Sequence, residues 1–257
     1  QYMNTAVTTE DSFTKSAGRQ LLGFAAICVA SIALLMLGLS WASSLTSSTS
    51  GYSDAVDPAT KTITSYLREE PPQLNSSLST DMVSGMILGH VMEGLLRYDK
   101  NNQLAPGVAE RWEIRRDGAT FWLREDAVWN DGVPVTARDF VFSWRLALDP
   151  KNASEYAFIL YPVKNGQAIN EGDMPLSTLG VTALDDRTLV VEFEQPLAYF
   201  DKLVAFPTYY PIRQDFYHST NGSFGSDAQT LRFNGPFVIT RWVHGASLLM
   251  EKSPSYW

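Results

Sequence analysis

The stretch APGVAERWEIRRDGATFWLREDAVWNDGVPVTARDFVFSWR (105–145) decides how the rest of the chain is read. Trp112, Glu113 and Ile114 predict a strand, and Asp117-Gly118 supply a tight reversal. Thr120 to Leu123 return as a second strand of β-branched and aromatic character. Asn130-Asp131-Gly132 predicts another turn, because glycine holds the positive φ that such reversals need. Thr136 and Asp139 have capping-box spacing, with Asp in place of the usual Glu or Gln. Phe140, Trp144, Ala147 and Leu148 follow at helical spacing until Asp149-Pro150 ends the run. Nothing in this stretch is catalytic chemistry; it is scaffold.

Outward from it, the chain interleaves strands and helices without a regular β-α period, which predicts a mixed α/β (α+β) body. Thr62 to Leu67 reads as a strand broken by Pro71-Pro72. Ser79 or Thr80 caps a helix carrying Val83, Met86, Ile87 and Val91, and Gly94 ends it. Met and Gly on that helix read as core and close packing. Leu189, Val191 and Phe193 alternate with polar neighbours and pair with Val181 to Leu184 across Asp185-Asp186-Arg187, a half-buried hairpin. That acidic pair reads as a turn, since neighbouring strand residues point to opposite faces. Tyr199 to Ile212 is aromatic and broken by proline, so it is no central helix. Phe237 to Trp242 and Ser247 to Glu251 flank His244-Gly245 as a last hairpin.

With 257 residues, 45% hydrophobic and 19% charged, the chain can bury a substantial core. A net charge of −8 argues against a nucleic-acid partner. Cys28 is the only cysteine, so no internal disulfide forms. His90, His218 and His244 are scattered without metal-ligand spacing and read as surface or packing residues. GSFG (222–225) is no nucleophile elbow, and no phosphate-binding glycine loop occurs. A non-catalytic binder without metal or cofactor is the better reading. Its 7 Trp and 11 Tyr suit an enclosed site for a flexible amphipathic ligand, although most individual aromatics are expected to fill the core.

Leu21 to Leu39 carries no charge, and as a helix it spans roughly 28 Å, about one hydrocarbon core. Lys15 and Arg19 just before it place residues 1–20 in the cytoplasm and the remainder outside. Residues 21–42 read either as a signal peptide cleaved after Ala42 or as a retained membrane anchor. Cys28 follows Ile27, unlike a lipoprotein acceptor. Residues 43–60 have the small polar composition of a flexible tether.

PGVAERW (106–112), DGATFWLRE (117–125), VWNDGVPVTARDFVFSWR (128–145), DPKNASEYA (149–157), LGVTALDDRTLVVEF (179–193), NGPF (234–237) and SPSYW (253–257) together resemble the extracytoplasmic solute-binding proteins of peptide ABC transporters, the oligopeptide-binding members most closely. The resemblance covers roughly residues 63–257. It implies a periplasmic-binding-protein-like two-lobe fold, of which this chain is expected to hold the first lobe (61–93 and 176–257) with an inserted small subdomain (94–175). The second lobe, which carries the aspartate that pairs with a peptide's amino group, is expected to be missing. It further implies capture of oligopeptides outside the cytoplasmic membrane, in the periplasm or on that membrane's outer face, by a monomer that delivers them to inner-membrane permease subunits. An anchored sensor ectodomain of the same fold, a carrier of a metal chelate or haem, and an exported hydrolase are the alternatives. Carried over residue by residue, the resemblance places Thr80, Asp81 and Met82 beside the peptide backbone, Tyr156 in the cleft lining, and Asn234 on the peptide main chain. From the residues alone, Thr80 is equally a helix cap, Tyr156 a packing residue and Asn234 a turn residue before Gly235.

Overall fold

A computed structural model describes residues 23, 25–41 and 55–257. They belong to two compact units, residues 1–66 and 67–257. In the first unit, residues 25–41 are helical (α1). β1 (Val56–Asp57) pairs with β2 (Thr62–Ile63) in a short hairpin. The Asp57 carboxylate closes its turn, accepting from the Ala59 N–H at 2.9 Å and the Thr60 hydroxyl at 2.7 Å. The strand expected over Thr62 to Leu67 is therefore two exposed residues long, since among the described residues Val56 and Asp57 alone offer it a partner edge. Among the described residues no helix is long and apolar enough to cross a membrane. The stretch 1–20 expected in the cytoplasm, positions 21, 22, 24 and 42 of the segment read as signal peptide or anchor, and residues 43–54 of the expected tether lie outside the described residues.

The second unit begins its regular structure with α2 (Met82–Val91), followed by the paired strands β3 (Leu96–Tyr98) and β4 (Leu104–Pro106). β5 (Ala109–Arg115) and β6 (Gly118–Leu123) form the hairpin expected from the organising stretch. A Cβ at Gly118 would run into the Val191 carbonyl, so the reversal needs glycine for close approach. Gly132 has φ +83°, the left-handed conformation expected of its turn.

α3 (Ala137–Leu148) starts where the capping signal lies. The Asp139 carboxylate accepts from the Thr136 N–H at 2.8 Å and from Trp129 Nε1 at 3.4 Å. Burial pushes this carboxyl up to about 6, against the pull of those donors and of Arg213. Phe140, Trp144, Ala147 and Leu148 are all fully buried, as their spacing predicts. After α3 come α4 (Gly166–Asn170) and the hairpin of β7 (Val181–Ala183) and β8 (Thr188–Glu192). β8 pairs with β6, Phe121 opposite Leu189 and Ala119 opposite Val191, giving one antiparallel sheet in the order β5-β6-β8-β7. Its buried face repeats every second residue and packs under α3.

α5 (Phe200–Leu203) and a 3₁₀ turn at Pro207–Tyr209 carry the proline-broken aromatic run past α3, where Trp144 Nε1 donates to the Tyr209 carbonyl at 3.0 Å. α6 (Gln214–Ser219) follows, and β9 (Phe237–Val243) pairs with β10 (Ser247–Lys252) as the last hairpin. Trp129, Trp144, Phe121, Phe140, Phe200 and Tyr209 are fully buried, so many aromatics do fill the core.

The Glu70 carboxylate holds the tip of that last hairpin. It accepts from Trp242 Nε1 at 2.7 Å and the Gly245 N–H at 3.1 Å, and His244 Nδ1 lies 2.8 Å away. Burial pushes this carboxyl up, but the donors of Gly245, His244 and Trp242 outweigh it and hold it below its ordinary value. A depressed carboxylate adds stability above its unfolded pKa and loses it as pH falls through the folded one. The contact should therefore be intact above about pH 4.5 and loosen below it. The protection of the Gly245 amide, its exchange rate taken relative to the intrinsic rate at the same pH, should fall in that acid range, and Glu70→Gln should remove the change. Unchanged protection between pH 6 and pH 3 would contradict this.

Candidate ligand-binding site

Residues 73–81 turn the chain into α2, and almost every group in the turn is held. Asn75 Oδ1 accepts from the Ser77 N–H at 3.1 Å and the Ser77 hydroxyl at 2.7 Å. Its carbonyl accepts from the N–H groups of Leu78 and Ser79. Two side chains of the run NASEYA then pin the turn from outside: Ser154 Oγ donates to the Ser77 carbonyl at 2.6 Å, and the Tyr156 hydroxyl donates to the Thr80 carbonyl at 3.3 Å. The cap of α2 is Asp81, whose Oδ1 accepts from the Ser84 N–H at 2.7 Å, and not Ser79 or Thr80. Aspartate wins because the helix starts one residue later than the hydroxyl reading requires.

Thr80, Asp81, Met82 and Tyr156 are thus brought to one place, the amino-terminal end of α2. Asn234 lies at the other end of the same helix, roughly 15 Å along it at 1.5 Å per residue. It is buried, and its side-chain amide bonds the Glu93 main chain on both sides: Oδ1 accepts from the Glu93 N–H at 3.0 Å, and Nδ2 donates to the Glu93 carbonyl at 2.9 Å. The Gly235 N–H adds a bond to the Val91 carbonyl at 2.9 Å. α2 ends at Val91, three residues before Gly94, because Met92 turns extended and its neighbours take these bonds from Asn234-Gly235.

Between its two ends α2 presents an open face. Met82 is 90% exposed and Met86 50%, and a Cβ added at Gly85 or Gly89 would meet nothing within 4 Å. The core reading of Met86 and of the two glycines is therefore corrected; Val83, Ile87, Leu88 and Val91 bury the other side. At the far end His90 faces Phe237 with ring centroids 6.2 Å apart. At the near end Tyr156 meets Phe158 and Phe206, each at 5.9 Å, and both phenylalanines remain exposed. Phe158, Phe206 and Phe237 were not singled out as site residues from the sequence, where Gly85 and Gly89 were read as close packing. The bare glycines spaced one helical turn apart were the signal that could have found the face.

Glu93, whose main chain Asn234 holds just past the end of α2, is a buried charged group. Its Oε2 accepts from the Tyr256 hydroxyl at 2.8 Å, while Oε1 has no hydrogen-bond partner and lies 3.6 Å from Arg97 Nε. Burial pushes its carboxyl above the ordinary range, against Tyr256, Arg97 and Arg124. Burial and the Glu93 charge push Tyr256 up to about 12.

The profile of the bacterial extracellular solute-binding proteins, family 5 (middle region), matches residues 103–257. The chain belongs to that family. Among solved structures, the substrate-binding domain of an oligopeptide ABC transporter from Bacillus anthracis superposes with a TM-score of 0.74 at 46% identity, over 75% of this chain and 38% of that one. The dipeptide-binding protein DppE of Bacillus subtilis is 39% identical over 73% of this chain and 35% of its own. The periplasmic oligopeptide-binding protein OppA of Escherichia coli is 40% identical over 65% of this chain and 31% of its own. The chain thus spans about a third of the length of these curated family 5 relatives.

Proposed function

We propose that this family 5 chain supplies one wall of a peptide-binding site in the solute-binding component of a peptide ABC transporter, capturing oligopeptides outside the cytoplasmic membrane for delivery to permease subunits. The observation that carries this reading is the open face of α2. Two glycines without neighbours let a main chain approach closely, and Met82 and Met86 offer adaptable apolar contact to varied side chains. The aromatic group of Tyr156, Phe158 and Phe206 closes one end of that face and His90 with Phe237 the other. A peptide laid along it meets little charge, which suits recognition of main-chain groups that every peptide shares. Met82 and Tyr156 would touch the ligand. Thr80 and Asp81 would shape the turn beside it, and Asn234 would act on it through the Glu93 main chain. Names among the relatives that specify dipeptides and oligopeptides support the ligand class, and a periplasmic relative supports the location.

Photo-cross-linking tests the reading without requiring tight binding. A tripeptide bearing a benzophenone side chain should label Met82 and Met86, whose C–H bonds lie open, and Gly85→Trp should abolish the labelling by filling the face. Labelling spread evenly over surface methionines, or unaffected by Gly85→Trp, would overturn the assignment.

A further inference from the structure

We propose that the outer face of α3 carries a second binding site, for a small amphiphilic carboxylate. α3 buries one stripe in the core and turns the other, from Arg138 through Phe142 and Arg145 to Asp149, toward a cavity of about 340 Å³. α6 closes the cavity with Tyr217 and His218, and Leu176 completes an apolar wall. That volume is at the small end of the ~300–1,000 Å³ typical of ligand sites, too small for a peptide of several residues. No residue of the cavity belongs to the α2 face.

Arg145 is the reason to expect a ligand. Among the described residues its guanidinium donates to no group, and its Nε is shut off from water without an acceptor. Buried donors are nearly always satisfied, and a guanidinium is shaped to take a carboxylate through two parallel bonds. The acid one helical turn away does not serve: Asp149 uses its carboxylate to accept from the Lys151 N–H at 3.0 Å and forms no ion pair with Arg145. Arg138, at the rim, pairs with Asp186 at 2.8 Å. In a chain of net charge −8, this leaves an unpaired cation facing a cavity.

The walls decide what joins the anion. Phe142 meets Tyr217 at 5.5 Å and His218 at 5.7 Å, both edge-on, and Val141, Leu146 and Leu176 continue the apolar lining. A phosphate would use none of that surface, and its second charge would face Asp149. A monocarboxylate with an apolar or aromatic body uses both the guanidinium and the rings.

The full chain titrated with 3-phenylpropionate, followed through the ring resonances of Tyr217 and His218, should give a saturable shift with a Kd on the order of 1 mM, as expected for so few ligand atoms. Arg145→Met should weaken binding at least tenfold, and 3-phenylpropanol, which lacks the charge, should bind the unaltered chain equally poorly. That comparison decides the role of charge even if the variant folds badly. A saturating tripeptide should leave the shift in place. Absence of a saturable shift, equal affinity for the alcohol, or displacement by the tripeptide would each overturn the proposal.

Discussion

Trp144→Ala is expected to destabilise residues 67–257 by about 4 kcal/mol, within the ~3–5 kcal/mol seen when a buried Trp or Phe is truncated. The side chain is fully buried, and it joins three parts of the chain. Its ring stands edge-on to Tyr209 at 5.0 Å and to Phe200 at 6.3 Å, and its Nε1 holds the Tyr209 carbonyl. Ser143, one residue earlier, holds the next carbonyl, that of Tyr210, at 2.6 Å. Truncation therefore opens a cavity and releases the aromatic run that passes between α3 and the 3₁₀ turn. Trp144→Phe keeps most of the apolar bulk and leaves a buried carbonyl without its donor, which should cost about 1–3 kcal/mol. Urea unfolding reads both, with the midpoint shifting and the slope preserved. A loss below about 1 kcal/mol for the alanine variant would mean that this contact is not the joint it is taken to be.

The part of the fold that was legible in the sequence is the part in which local and distant interactions agree. The run from Ala105 to Arg145 has a glycine where a neighbouring strand crowds the turn, an aspartate where the helix cap needs a carboxylate, and apolar residues at the period of the face that meets the sheet. The pairing of Val181 to Ala183 with Thr188 to Glu192 was legible for the same reason. Thr62 to Leu67 shrank to Thr62–Ile63, because strand propensity beyond the two-residue partner edge makes no longer strand. α2 is apolar on every side, so periodicity could not say that Ile87 and Leu88 face inward while Met86 faces out. That ambiguity is itself a physical signal, since a helix apolar all round with one side uncovered has a side waiting for a ligand or another surface. Of the candidate site, the resemblance named Thr80 and Tyr156 without saying that they meet, and the structure joins them through the Tyr156 hydroxyl. The bond of Asn234 to the Glu93 main chain was not legible, because its partner lies 141 residues away and leaves no local trace.

Asn234 yields the second large effect and a way to tell holding from touching. Asn234→Ala should cost about 2–4 kcal/mol, because the Glu93 N–H and carbonyl both lose their partners in a buried place. Asn234→Asp should be more informative. An ionised Asp keeps the acceptor for the Glu93 N–H but faces the Glu93 carbonyl without a donor, close to a second buried acid. Its pKa in the folded chain should be raised, so its stability is present at low pH and lost as pH rises through that value. The protonated acid restores the donor, and the variant should approach the unaltered chain near pH 4 while remaining well below it at pH 8. Thermal melts across that range measure the crossover. Were Asn234 chiefly a ligand contact, with the Glu93 main chain indifferent to it, the aspartate variant would track the unaltered chain at both pH values and differ from it only when peptide is added. A gap between the two melts that widens from pH 4 to pH 8 in the absence of peptide instead ties the far end of α2, and with it the whole open face, to this one amide.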